Sequence, residues 1–238
     1  KYGLKRESEL NTSQHFTYSY NDSNASVYAT DIRVINGSYV FDVIAKDWLL
    51  QDVILHMGGL HNIENVTAAI TVAKHIGIAD EKIKNAVEAF KGVKRRFEYI
   101  ITPFGENKMV LIDDYAHHPE ELRALITGVK SIFDNKKITI VFQPHLYSRT
   151  KDLATEFANS LDLADDVILL PIYPARELPI EGVTSELILN KMTNKNKSIK
   201  RNTEVLEWLK NNKQEMLITA GAGDIDALVQ PIKRIIEN

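Results

Sequence analysis

The chain has 238 residues, of which 44% are hydrophobic and 26% charged, and its 29 basic and 32 acidic side chains give a net charge of −3. That length and apolar content suffice for one large or two small packed domains, while the near balance of charge excludes the concentrated positive field that non-specific nucleic-acid or anionic-membrane binding needs. The absence of cysteine excludes disulfides and thiolate metal sites and fits a reducing, cytoplasmic compartment, and no apolar run reaches the ~18 residues of a membrane span.

The opening, Lys1-Tyr2-Gly3-Leu4, has neither an initiator Met nor the apolar core of a signal peptide, so a segment of a longer protein is expected. Tyr-, Val-, Ile- and Phe-bearing segments at 15–20, 26–35, 39–46 and 51–56 predict strands, separated by turn residues such as Asn21-Asp22-Ser23 and Asn36-Gly37-Ser38. After Gly58-Gly59, the apolar spacing of Ile63, Val66, Ile70 and Ala73 predicts a helix stopped at Gly77. A second helix is expected over 80–90, with Ile83, Val87 and Phe90 on one face. A β-meander followed by two helices has no parallel core of its own and reads as the tail of a domain.

From about residue 98 the grammar changes. Strands are predicted at 98–103, 109–113, 137–142, 166–170 and 215–219, and helices at 119–133, 150–163, 184–193, 203–211 and 224–236. The 119–133 helix opens on Pro119 and carries Leu122, Leu125, Ile126, Val129, Ile132 and Phe133 as one stripe. Ile138–Phe142 and Val167–Leu170 are continuous apolar runs, as strands buried on both faces require. The alternation predicts a doubly wound, mostly parallel α/β sheet. The Lys-rich stretch 191–213 is interrupted by polar and apolar residues and reads as a solvated surface.

Three polar clusters fall at predicted strand ends, where open parallel sheets bind ligands. In the first, Asp113-Asp114-Tyr115-Ala116-His117-His118-Pro119, a carboxylate and two imidazoles beside a helix start suit a metal, a ribose diol or a phosphate. Equally, Asp114 and His118 can cap turns while His117 faces water. In the second, Gln143-Pro144-His145-Leu146-Tyr147-Ser148-Arg149-Thr150, Arg149 suits a carboxylate or phosphate, or a structural ion pair, and Thr150 is a candidate N-cap. The third, Thr219-Ala220-Gly221-Ala222-Gly223-Asp224, lets backbone approach a ligand or simply turns tightly. Upstream, Asn62 and Asn65 share a helix face and offer amides for a nucleobase edge or for capping. Arg95-Arg96 lies at the change of grammar, solvated or able to neutralise a transferring phosphoryl group.

Taken in order, these segments resemble the Mur ligase family. Gly59-Leu60-His61-Asn62-Ile63-Glu64-Asn65 with Ala68-Ala69 is similar to its H-N-x-x-N-x-x-A-A helix, and Gly92-Val93-Lys94-Arg95-Arg96-Phe97-Glu98 to its junction between central and C-terminal domains. Asp113–Pro119 and Gln143–Thr150 resemble the branch that adds L-alanine, in which Leu146 replaces a common arginine, and Gly221-Ala222-Gly223-Asp224 resembles the family's terminal turn. The resemblance implies that residues 1–97 are the end of a central ATP-binding domain and residues 98–238 a Rossmann-like C-terminal domain. It implies an ATP-dependent ligase that phosphorylates the carboxylate of UDP-N-acetylmuramate and lets the amine of L-alanine attack the acyl phosphate. By the same resemblance Asn62 and Asn65 contact adenine, Asp114 the ribose, and one of Arg95 and Arg96 the phosphates. Arg96 and His117 then stand as catalytic residues, while Tyr115, His145 and Arg149 bind L-alanine, with Arg149 on its carboxylate. No G-x-x-x-x-G-K-[ST] occurs in the chain, so the phosphate-cradling lysine and the Mg2+ ligands are expected upstream and the segment alone is expected to be inactive. The competing readings are a recycling ligase that attaches an intact peptide, a non-catalytic nucleotide-binding module, and a metallohydrolase built on Asp113, Asp114, His117 and His118.

Overall fold

The computed structural model describes residues 15–102 and 109–237, and the chain divides into two compact units, Lys1–Phe90 and Lys91–Asn238. Residue 103, the last of the strand expected over 98–103, and the Lys1–Leu4 opening lie outside the described residues.

In the first unit, β1 (Tyr18–Ser19), β2 (Val27–Ile35), β3 (Ser38–Ala45) and β4 (Leu49–Leu55) form one sheet in that order. β2, β3 and β4 make the expected antiparallel meander, whereas the 15–20 segment shrinks to two residues that pair with β2 in parallel. Asn36 and Gly37 both have positive φ (50° and 76°), as the two-residue hairpin between β2 and β3 demands. Tyr39, Phe41, Val43, Val53 and Leu55 are buried, as are Ile63 and Ile70 of α1 (Leu60–His75), which packs on β2, and Ile83 of α2 (Asp80–Ala89), which packs on β4. The stop at Gly77 is physical. At φ 79° it lets its own N–H reach Lys74 O (3.0 Å) and the Ile78 N–H reach Ala73 O (3.0 Å), a Schellman closure that a side chain there would strain.

The second unit is a six-stranded sheet in the order β5-β6-β10-β7-β8-β9, comprising β5 (Glu98–Ile101), β6 (Val110–Asp114), β7 (Ile138–Phe142), β8 (Asp166–Leu169), β9 (Lys197–Ile199) and β10 (Met216–Ala220). All neighbours are parallel except β5 with β6. One face packs Leu111, Val141, Ile168 and Leu217 against Val205 and Leu209 of α7 (Asn202–Asn211) and Leu228 and Ile232 of α8 (Asp226–Glu237). On the other, Phe142 meets Phe157 of α5 (Ala154–Leu161) at 5.4 Å, and α5 packs on α3 (Pro119–Ile132). Helices on both faces explain why the central strands are apolar throughout. This is the doubly wound fold the sequence predicts.

Three expectations need correction. The 150–163 helix is two, α4 (Tyr147–Asp152) and α5, broken at Leu153. Thr150 is therefore no N-cap; it sits inside α4, where its hydroxyl donates to Leu146 O at 2.8 Å. The 184–193 helix is the single turn α6 (Glu186–Leu189), because Asp162 captures the N–H groups of Thr193 and Asn194 at 2.8 and 3.0 Å and pulls the chain out of helix. β9 is an addition that the sequence pattern does not predict, since Lys197-Ser198-Ile199 has no apolar run and becomes a strand only by pairing with β8 at the sheet edge.

Candidate functional site

Because β10 lies between β6 and β7, in register from Met216 beside Val110 and Ile138 to Ala220 beside Asp114 and Phe142, the three polar clusters leave one edge of the sheet together. That edge is the carboxyl end, where a doubly wound sheet concentrates ligand contacts.

Arg95 ties the edge together. Its Nε meets Asp113 at 3.1 Å, one terminal nitrogen donates to Gly221 O at 2.5 Å, and Asp226 lies 3.9 Å away. The guanidinium also sits 5.1 Å over the Tyr115 ring, while the Arg95 carbonyl accepts the Tyr115 N–H at 2.7 Å. Asp113, 2% exposed, accepts a further hydrogen bond from the Thr219 hydroxyl at 2.6 Å. This network gives Arg95 a structural engagement within its own unit, and neither Thr219 nor Asp226 could be linked to it from local sequence. Arg96 is exposed. Of the two arginines it has the uncommitted head group among the described residues.

Asp114 accepts the N–H groups of Phe97 and Ala116, each at 2.7 Å, and so fastens the start of β5 to the loop after β6. Two of its roughly four lone-pair sites are used, which leaves acceptor capacity for a ligand hydroxyl. Burial pushes its pKa up to about 6, against the pull of those two donors, with Asp113 and Glu121 adding repulsion. The folded state therefore holds the proton more tightly than the unfolded chain. Stability should fall as pH rises from about 4 to about 6 and then level off, by roughly 3 kcal/mol at most for this group. Carboxyl 13C shifts followed against pH should place the Asp114 midpoint near 6; a midpoint near 4 would contradict this electrostatic account.

His117 is oriented by its neighbours. Its Nδ1 lies 2.9 Å from Tyr115 O and 3.4 Å from the Glu121 carboxylate, which also accepts the His117 and His118 N–H groups at 2.9 and 3.0 Å. Glu121 thus caps α3, whose first residue is Pro119. The His117 ring stands edge-on to Tyr115 (5.3 Å) and His145 (6.1 Å). From the β7 loop, His145 stacks on Tyr173 at 5.7 Å and 15°, its Nδ1 is buried without a partner, and burial followed by the nearby Arg149 charge lowers its pKa. Arg149 reaches His117 O at 3.4 Å and makes no ion pair among the described residues. The structure thus brings Tyr115, His117, His145 and Arg149 into one group.

The Gly-rich turn has a packing reason. A Cβ on Gly221 (φ 146°) would lie 2.8 Å from Gln143 O, and one on Gly223 would collide with Gln143 Oε1 and with Tyr173 at 2.7 Å. The Gln143 amide itself donates to Asp224 (2.7 Å) and accepts the Ile225 N–H (3.0 Å). Gln143, Tyr173 and Asp224 line a cavity of about 470 Å³ with Arg201–Thr203, which His117, His145 and Arg149 do not line.

In the first unit, the Asn62 amide donates to Gly58 O at 2.7 Å and accepts from Asn65 at 3.4 Å, closing the turn before α1. Asn65 is exposed and keeps its oxygen open. Among the described residues no group of three or more His, Asp or Glu side chains converges as a metal site, so the structure adds no support to the hydrolase reading.

Residues 95–225 match the family described as Mur ligase, glutamate ligase domain. The chain is 45% identical over 207 residues to UDP-N-acetylmuramate–L-alanine ligase of Cytophaga hutchinsonii, covering 87% of this chain and 44% of that protein. Among solved structures it is similar to UDP-N-acetylmuramate–alanine ligase from Thermotoga maritima, with a TM-score of 0.73, 25% identity and coverage of 93% of this chain and 47% of that one. The murein peptide ligase of Psychrobacter arcticus shares the fold at a TM-score of 0.55 and 21% identity, covering 94% of this chain and 46% of that one. The chain spans less than half the length of each of these proteins.

Proposed function

Because the chain belongs to the Mur ligase family, we propose that it supplies the L-alanine site and part of the ATP site of a cytoplasmic ligase that joins L-alanine to UDP-N-acetylmuramate in cell-wall precursor synthesis. The observation that carries this reading is Arg149, a half-buried guanidinium with no carboxylate partner among the described residues, grouped with His145, His117 and Tyr115. A planar fork so placed suits the carboxylate of an amino acid. Residues 1–97 are assigned to the end of the ATP-binding domain and 98–238 to the C-terminal domain.

In this reading Asn62 and Asn65 face adenine, with Asn65 the more available, and Asp114 receives the ribose hydroxyls through its unused lone pairs. Arg96, rather than the engaged Arg95, meets the phosphates, and His117 lies beside them. ATP supplies the phosphoryl group that activates the sugar carboxylate, and Mg2+ is held by residues outside this segment. Holding an amine against an activated acyl group in a site that excludes water is the main task, so orientation dominates the chemistry.

Phosphate release tests the proposal. The 238-residue chain alone, given ATP, Mg2+, UDP-N-acetylmuramate and L-alanine, should stay at background because it holds no phosphate-binding loop. The full-length protein should release phosphate only when L-alanine is present. Turnover by the segment alone, or dependence on an intact peptide in place of L-alanine, overturns the assignment.

A further inference from the structure

Arg149 sits in the six-residue helix α4, whose first N–H groups have no partner within the helix. They find one in Glu177, from the loop that follows β8. Its carboxylate accepts the Ser148 N–H at 2.9 Å and the Ser148 hydroxyl at 2.5 Å. These donors, with the Tyr147 backbone, hold the Glu177 carboxyl below the usual carboxylate range. The same loop is locked to the β7 loop by backbone bonds, Tyr173 N–H to Pro144 O at 2.8 Å and Leu146 N–H to Tyr173 O at 3.0 Å, and Tyr173 stacks on His145. Leu146, the residue before α4, has φ 73°, a conformation that costs energy for a branched side chain and must be held from outside.

We propose that Glu177 is a positioning residue for the L-alanine site: bonded to Ser148, it fixes the first turn of α4 so that Arg149 faces the substrate carboxylate, and, being occupied there, it does not neutralise Arg149 itself. The proposal rests on the L-alanine reading of Arg149. Glu177 is bonded to the first turn of this helix and makes no ion pair with Arg149. With Glu177 committed to Ser148, Arg149 has no ion-pair partner among the described residues, which is what recognition of a small zwitterion needs.

The test is steady-state kinetics on the full-length protein with Glu177→Ala, Glu177→Gln, Ser148→Ala and, as reference, Arg149→Ala. Glu177→Ala should raise KM for L-alanine roughly tenfold, the scale of a lost capping interaction. KM for ATP and kcat at saturating L-alanine should hold within about twofold, as for loss of ground-state positioning alone. Glu177→Gln, which retains one acceptor oxygen, should recover part of the loss, and Ser148→Ala should show a smaller rise in the same constant. If Glu177→Ala does not fold, as circular dichroism will tell, Ser148→Ala and Glu177→Gln carry the test. The positioning role is overturned if these variants leave KM for L-alanine unchanged while Arg149→Ala raises it. If Arg149→Ala is also silent, it is the L-alanine reading itself that has failed.

Discussion

Replacing Arg149 by alanine in the full-length protein should lower kcat/KM for L-alanine by on the order of 2–5 kcal/mol, with KM for ATP nearly unchanged. The loss is large because the substrate carboxylate would enter a half-buried site without a counter-charge, and no other unpaired cation among the described residues is grouped with His117 and His145 to take its place. Arg149→Lys keeps the charge but loses the two parallel donors, and a point charge on a flexible stem orients a carboxylate poorly. It should therefore fall between wild type and alanine. The measurement is initial rate against L-alanine with ATP and UDP-N-acetylmuramate saturating. Wild-type constants in both variants would make Arg149 a surface residue.

The second large effect concerns stability. Arg95→Ala should destabilise the C-terminal unit by about 3–5 kcal/mol, the usual cost of removing one partner from a buried ion pair. The Asp113 carboxylate, 2% exposed, would keep only the Thr219 hydroxyl, and Gly221 O would lose its donor. Burial already raises the Asp113 pKa against the pull of Thr219 and Arg95, and without Arg95 it rises further. Protonation then relieves the buried charge, so the deficit should be largest at neutral pH and shrink as pH falls through that raised value. Urea unfolding of wild type and Arg95→Ala at two pH values measures this. Equal midpoints would mean that the pair contributes nothing net.

Arg95 and Arg96 show where sequence and structure part company. Adjacent and chemically identical, they could not be told apart by type or spacing. The fold separates them because β10, the last strand of the chain, inserts between β6 and β7 and brings Gly221 and Thr219 to Asp113, a juxtaposition across more than a hundred residues. Arg95 is drawn into that junction, and Arg96 is left exposed.

What the sequence determined by itself follows from local periodicity and backbone chemistry. The stripe from Leu122 to Phe133 made α3, the runs at 138–142 and 167–170 made buried strands, Asn36-Gly37 made a hairpin and Gly77 a helix stop. Each depends on residues close together in the chain, and the motif order led in the same way to the ligase family. Tertiary structure decided the rest. Lys197–Ile199 is a strand only because β8 offers it an edge, and α4 ends at Leu153 although the sequence there would continue a helix. Glu177 is read as a positioning residue only because its loop crosses to Ser148. These outcomes depend on partners distant in sequence, whose contribution no local pattern encodes until the sheet has set its strand order.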